Sequence, residues 1–287
     1  MDLKTTLSHR SSEPENSVLY IVGTPIGNLD DISLRALNIL KKVSLVACED
    51  TRQTKKIMSK FKISNNLISF TKHNSLKKIP KIIDILQEGG SVALVSDAGM
   101  PSICDPGEDI IKVLKTKGFD VICIPGPCAA ITALVSSGIP SSSFIFLGFL
   151  PKKKIEREKV LIEISKSELT TIIFESPHRL KKLLNELLEF CGEDREIEIA
   201  RELTKKFEEH IKGNIKKAIN FFERKDVIGE ITIVIKGRDR TINQNFNKSE
   251  LKKEIHELID AGLSLSAASR YLSKKTGIKK SIIYDLK

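Results

Sequence analysis

A repeated junction constrains this chain more than any other feature: a short apolar run breaks off into a loop of small residues, and a helical pattern follows. Val18-Leu19-Tyr20-Ile21-Val22 leads into Gly23-Thr24-Pro25-Ile26-Gly27-Asn28-Leu29-Asp30-Asp31, then a helix capped by Ser33 with Leu34, Leu37 and Leu40 on one face. Five apolar residues in a row suit a strand covered on both faces. A loop without bulk between strand and helix lies where open α/β sheets hold their ligands. It has neither the Gly-Lys-Ser/Thr ending of a phosphate loop nor a G-x-G-x-x-G array. Taken alone it fits an ordinary βα turn as well as a cofactor site.

Two sibling junctions tip that balance. Ser91-Val92-Ala93-Leu94-Val95 ends in Ser96-Asp97-Ala98-Gly99-Met100-Pro101-Ser102-Ile103-Cys104-Asp105-Pro106-Gly107. Prolines stiffen such a loop, glycines let a ligand reach backbone, and carboxylates accept from amino or hydroxyl groups. Val121-Ile122-Cys123-Ile124 meets Pro125-Gly126-Pro127-Cys128-Ala129-Ala130, whose small side chains leave the N–H groups of a helix start open. Three such loops from one half predict a shared cofactor cleft.

Charged residues stand at other strand ends. Ser44-Leu45-Val46-Ala47-Cys48 runs into Glu49-Asp50-Thr51-Arg52, where Asp50 also suits a helix N-cap. After the connector Gly138-Ile139-Pro140-Ser141-Ser142-Ser143 a second α/β half begins. Its strand Thr170-Thr171-Ile172-Ile173-Phe174 ends in Glu175-Ser176-Pro177-His178-Arg179, a cap and first-turn proline opening a helix that buries Leu180, Leu183, Leu184, Leu187 and Leu188. Glu196-Ile197-Glu198-Ile199-Ala200 meets Arg201-Glu202-Leu203-Thr204-Lys205, and Glu230-Ile231-Thr232-Ile233-Val234-Ile235 is the last strand.

The fold class that follows is α/β: two α/β domains with the cofactor cleft between them, plus a small C-terminal helical, helix-turn-helix-like module. The expected boundaries are a flexible polar leader over 1–17, an N-terminal domain over 18–137, a C-terminal domain over 138–237, and a linker with the helical module over 238–287. Of the 287 residues, 40% are hydrophobic and 29% charged, as in globular proteins. No apolar run approaches the roughly 18 residues of a membrane span, and the leader has no signal-peptide core. The five cysteines show no C-x-x-C spacing, which argues against a zinc site and for a reducing cytoplasm. A formal charge of +10 favours polyanionic partners, and roughly half of that excess falls after residue 237.

No Ser-His-Asp set or metal-ligand spacing is present, so the residues point to group transfer from a nucleoside-like cofactor. Together the stretches 20–29, 48–52, 96–101, 105–107, 125–130, 174–179 and 200–205 resemble the ribosomal RNA small subunit methyltransferase I family, the 16S rRNA cytidine-2′-O-methylating branch of the tetrapyrrole methylase superfamily. Met100 stands where many relatives carry threonine. The resemblance implies a cytoplasmic homodimer that binds S-adenosylmethionine and methylates the ribose of cytidine 1402 in the decoding centre of the small ribosomal subunit. It implies no metal and no membrane. By the same resemblance Gly23, Thr24, Pro25, Gly27, Asp97, Ala98, Gly99, Asp105, Pro125, Gly126, Ala129, Ala130, Phe174 and Ala200 are cofactor-side residues. Glu175, Ser176, Arg179, Arg201 and Thr204 fall to the RNA acceptor. Glu49, Asp50, Arg52 and His178 form the catalytic set; Asp50 and Glu49 come first as base, His178 next, and Arg52 is a phosphate ligand. A methylase of a corrin precursor and a non-catalytic nucleic-acid-binding regulator are the competing readings.

Overall fold

The computed structural model describes residues 13–239, 248–276, 278 and 280–286. Five strands of the first half, β1 (Val18–Val22), β2 (Leu45–Cys48), β3 (Leu67–Ser69), β4 (Val92–Val95) and β5 (Asp120–Ile124), form one parallel sheet in the order β3-β2-β4-β1-β5. Because every pairing is parallel, the loops after β1, β2, β4 and β5 all leave from one edge. Helices cover both faces. Val18, Tyr20 and Val22 pack with Ala36, Ile39 and Leu40 of α1 (Leu34–Lys42), while Leu19 and Ile21 face Ile82 and Leu86 of α3 (Ser75–Gln87) and Ile110 and Leu114 of α4 (Glu108–Thr116). That alternation is the period-2 signature of a strand buried on both sides.

Ser33 caps α1 as expected, accepting from the Ala36 N–H, but the buried stripe is Ala36, Ile39 and Leu40, and Leu34 is 86% exposed. Of the face read from Leu34, Leu37 and Leu40, Leu40 is buried in the core and Leu37 packs against it, while Leu34 turns to solvent and Ala36 and Ile39 complete the buried stripe. Part of the predicted leader is also tied down. Glu13 is buried and ion-paired with Arg35, and the Ser17 hydroxyl donates to Leu86 O at 2.6 Å. Residues 1–12 lie outside the described residues.

The second half is a mixed sheet, β6-β7-β10-β8-β9, built from β6 (Phe144–Phe149), β7 (Thr170–Glu175), β8 (Glu196–Arg201), β9 (Glu209–Asn214) and β10 (Ile231–Ile235). β6 and β7 are parallel, whereas β10 lies antiparallel between β7 and β8. Helices α6 (Lys154–Lys166), α7 (Pro177–Cys191) and α8 (Ile215–Glu223) supply one core layer, with Leu161, Leu183, Leu187 and Phe222 against Ile197, Ile199 and Ile233.

The other face of this sheet receives α5 (Ala129–Ser137), the last helix before the connector. Ala130, Ala133 and Leu134 pack with Ile172, Ala200 and Val234, and Ile26 and Leu203 join the same cluster. The two halves therefore share a core at the loops that sequence had singled out. Past the linker, α9 (Lys248–Asp260), α10 (Leu265–Thr276) and α11 (Lys280–Tyr284) close around Leu251, Ile255, Ala268, Leu272 and Ile283. The expected polar linker around Asn243-Gln244-Asn245 lies outside the described residues.

Candidate functional site

The loops after β1, β4 and β5 touch one another through glycine. A Cβ on Gly23 would stand 2.7 Å from Gly126 Cα and 2.7 Å from Met100 Sδ, and a Cβ on Gly126 would meet Gly23 Cα at 2.8 Å. Contacts that short leave no room for a side chain. Thr24 and Gly99 exchange backbone hydrogen bonds of 2.9 and 3.0 Å, an isolated bridge that fixes the first loop to the second. Pro25 lies buried behind it and Pro125 is exposed. Gly27 serves a different contact: a Cβ there would meet Lys205 Cγ at 2.5 Å and Leu203 O at 2.9 Å, and the neighbouring Asn28 N–H donates to Thr204 Oγ1 at 3.0 Å. Gly27 thus lets the second half close against the first.

Between the halves this arrangement leaves a cleft of about 340 Å³. Ala98, Gly99, Asp105 and Ala129 line it from the first half, and Phe174, Glu175 and Ser176 from the second. Phe174 is wedged edge-on between Phe146 and Phe149, at ring-centroid distances of 5.0 and 5.7 Å. Gly23, Thr24, Pro25, Gly27, Asp97, Pro125, Gly126, Ala130 and Ala200 do not line the cleft. They lie beside it, and Ala130 and Ala200 are part of the shared core. Sequence reasoning did not single out Ile26, Phe149, Leu203 or residues 229–232, all of which line the cleft. Residues 229–232 arrive only because β10 sits at the centre of the second sheet, which no local pattern reveals. The available signal for Phe149 was its place at the end of β6, just before Pro151.

Carboxylates gather beside the cleft on its first-half side: Asp105 lines it, whereas Glu49, Asp50 and Asp97, like Arg52, do not. Burial, then the charges of Asp105 and Asp97, hold the Glu49 carboxyl above its ordinary value. Asp105 is also raised by burial, partly offset by a hydrogen bond from Ser96. Asp97 accepts the Asp50 N–H at 2.9 Å. Lys72 faces this group, its ammonium donating to Cys104 O at 3.3 Å. Asp50 behaves oppositely to Glu49. It caps α2 (Thr51–Lys60), accepting the Arg52 N–H at 2.8 Å, and its carboxylate pairs with the exposed Arg52 guanidinium at 2.7 Å. That pairing holds Asp50 below its ordinary value.

The second-half residues divide into internal and outward groups. Glu175 is 2% exposed. Its carboxylate accepts the Ser176 N–H at 2.8 Å and pairs with Arg179 at 2.6 Å and with buried Arg157 at 3.4 Å; Arg157 also reaches Glu186 at 2.7 Å. Arg201 is occupied by Glu209 and by Ile228 O, and Thr204 by Asn28 and Glu208. His178 does not line the cleft; it faces a second concavity of about 430 Å³ whose other walls are Lys152, Arg157, Ser176, Arg179 and Lys182. Ser176 borders both spaces. Among the described residues no group of His, Cys, Asp and Glu is placed to hold a metal ion, and no helix is long and apolar enough to cross a membrane.

Residues 18–219 match the family model described as tetrapyrrole (corrin/porphyrin) methylases. The ribosomal RNA small subunit methyltransferase I of Halalkalibacterium halodurans is 38% identical over 287 residues, with 99% of each chain covered. That of Thermotoga maritima is 47% identical over 221 residues, 77% of this chain and 99% of its own. Among solved structures, a cobalt precorrin-4 methyltransferase superposes on 81% of this chain and 98% of its own with a TM-score of 0.57 at 20% identity. A Thermus thermophilus uroporphyrin-III C-methyltransferase complexed with S-adenosyl homocysteine covers 75% of this chain and 96% of its own, with a TM-score of 0.53 at 15% identity. At those identities the structures speak for the fold alone.

Proposed function

This chain belongs to the tetrapyrrole methylase family, among the ribosomal RNA small subunit methyltransferase I proteins, and from that premise we propose that it methylates 16S rRNA with S-adenosylmethionine. The acceptor we assign is the ribose 2′-hydroxyl of cytidine 1402. The observation that carries this reading is the end-to-end match to a relative of that name, combined with a cleft between the halves that the loops after β1, β4 and β5 border.

The cleft suits the cofactor. Its volume, about 340 Å³, falls within the range of small-molecule sites, about 300–1,000 Å³. Aromatic and aliphatic walls suit an adenine ring, Ala98, Gly99 and Ala129 offer backbone at close range, and the Asp105 carboxylate suits a cationic ligand. When bound, the cofactor supplies an electrophilic methyl group. The chain's residues align donor and acceptor, an effect that can supply about 7–11 kcal/mol, and take up the proton that leaves the 2′-oxygen as the new C–O bond forms.

Glu49 is the group we assign to that proton. Its raised carboxyl is the better base, since Asp50 is locked to Arg52 and correspondingly weaker. Neither Glu49 nor His178 lines the cleft; Glu49 stands with Asp105, which does, whereas His178 faces the neighbouring concavity and is given no part in the transfer. A cytoplasmic homodimer acting on the small ribosomal subunit completes the reading.

The test is direct. Purified protein, labelled S-adenosylmethionine and small subunits from a strain lacking the modification should yield label at one cytidine ribose. Label in a tetrapyrrole precursor, with none in rRNA, would overturn the assignment.

A further inference from the structure

Beside the cleft, the concavity lined by Lys152, Arg157, Ser176, His178, Arg179 and Lys182 has no carboxylate in its walls. Its charge balance is one-sided. Glu175 and Glu186, behind the wall, engage Arg157, and Glu175 also holds Arg179. Glu186 reaches Lys182 only at 3.8 Å, and Lys182 is 74% exposed. Against four permanent cations there are two carboxylates, which leaves an excess of two positive charges facing the space.

The lysine run at 152–154 divides in a telling way. Lys153 and Lys154 turn along α6 to Glu156 and Glu158 at 3.4 and 3.8 Å. Lys152 points into the groove and has no carboxylate partner among the described residues. Buried Arg157 and Glu175 and half-buried Arg179 are ion-paired, and Arg179 Nε donates to Ser176 Oγ at 3.2 Å, so the wall shared with the cleft is tied together. An oxyanion in the groove would therefore find the Arg157 and Arg179 end of the wall already positioned, which limits the entropy lost there on binding.

We propose that this groove binds the backbone phosphates of the acceptor RNA strand next to the nucleotide whose ribose enters the cleft, with Lys152 and Lys182 as the principal phosphate ligands. The inference rests on the RNA-acceptor reading given above and adds a location to it. Ser176 borders both spaces, so a strand held by its phosphates in the groove has its neighbouring ribose at the cleft mouth. Contacts of this kind position a strand and do not read its bases.

The test compares wild type with Lys152→Gln/Lys182→Gln, using a decoding-centre fragment of 16S rRNA and intact small subunits. Both lysines are exposed, so the variant should fold, and calorimetry should show unchanged binding of S-adenosylmethionine. The slope of log Kobs for the RNA fragment against log salt should flatten by about 0.7 for each phosphate no longer neutralised. KM for small subunits should rise with kcat little changed, and Lys152→Arg/Lys182→Arg should restore both. An unchanged salt slope and KM in the glutamine variant would overturn the groove assignment. If wild type binds RNA with this lysine-dependent slope yet labels no rRNA, the methylation reading falls and the groove stands. If wild type binds no RNA, both fall.

Discussion

Glu49 and Asp50 adjoin in sequence yet differ in what surrounds their carboxyl groups. Both are half-buried, but desolvation and the charges of Asp105 and Asp97 act on Glu49, whereas Asp50 is held by Arg52. A base must be deprotonated to act, so activity should fall as pH drops through the Glu49 pKa, at a pH above that of an ordinary carboxylate. Glu49→Gln should lower kcat by about 10²–10⁴-fold, leave cofactor binding intact and remove that acidic limb from the pH profile. Asp50→Asn should keep the limb. If Asp50→Asn abolishes the limb and Glu49→Gln keeps it, the two roles are reversed. Gly126 offers a steric test at the same scale: Gly126→Ala drives a methyl group to 2.8 Å from Gly23 Cα. The clash is with backbone, which cannot swing aside, so a loss of about 1–3 kcal/mol is expected, read as a lower Tm together with weaker cofactor binding.

At the scale of elements, α7 and β7 depend on the ion cluster where they join. Glu175 lies at the end of β7 and Arg179 one turn into α7, with Arg157 reaching across from α6. Removing one member strands the rest: Glu175→Ala leaves the Arg157 guanidinium, 7% exposed, without part of its compensation. A loss of about 3–5 kcal/mol is expected from such a change, and thermal denaturation would show it as a large drop in Tm. A change within a degree or two would mean that Glu186 alone suffices for Arg157. This element also shows how far sequence reaches. Ser176 before Pro177 marks the helix start, and its leucine stripe the buried face, because both signals are local. The ion cluster was not legible, since Arg157 lies on another helix and its partners become neighbours only through sheet order. β3 and β9 escaped for a related reason: both sit at sheet edges and are only partly buried, so neither requires an apolar run.

For the whole molecule, the organising fact is that four loops of the first sheet leave from one edge and that three of them, after β1, β4 and β5, meet the second half there. The small residues of those loops were legible because close backbone approach excludes side chains, as at Gly23, Gly27 and Gly126. Gly27 shows the limit of that legibility: its smallness was assigned to a cofactor, yet the atoms that require it are those of residues 203–205. The C-terminal helices are organised differently. Their core is drawn wholly from Leu251 onward, and the Thermotoga maritima relative matches over 99% of its own length while using 77% of this chain. A family member thus manages without a part of this size, and the two α/β halves hold their own cores without the module. A chain ending at residue 239 should therefore fold, keep its Tm within a few degrees and bind S-adenosylmethionine as the full chain does. What it should lose is long-range attraction, because residues 238–287 hold roughly half of the net positive charge. Its association with small subunits should be slower and less sensitive to salt, while kcat at saturating subunits stays close to that of the full chain. Stopped-flow association at two ionic strengths separates the outcomes. Equal rates for the two chains would show that the module contributes nothing to capture, and a collapse of kcat would show that it reaches the cleft.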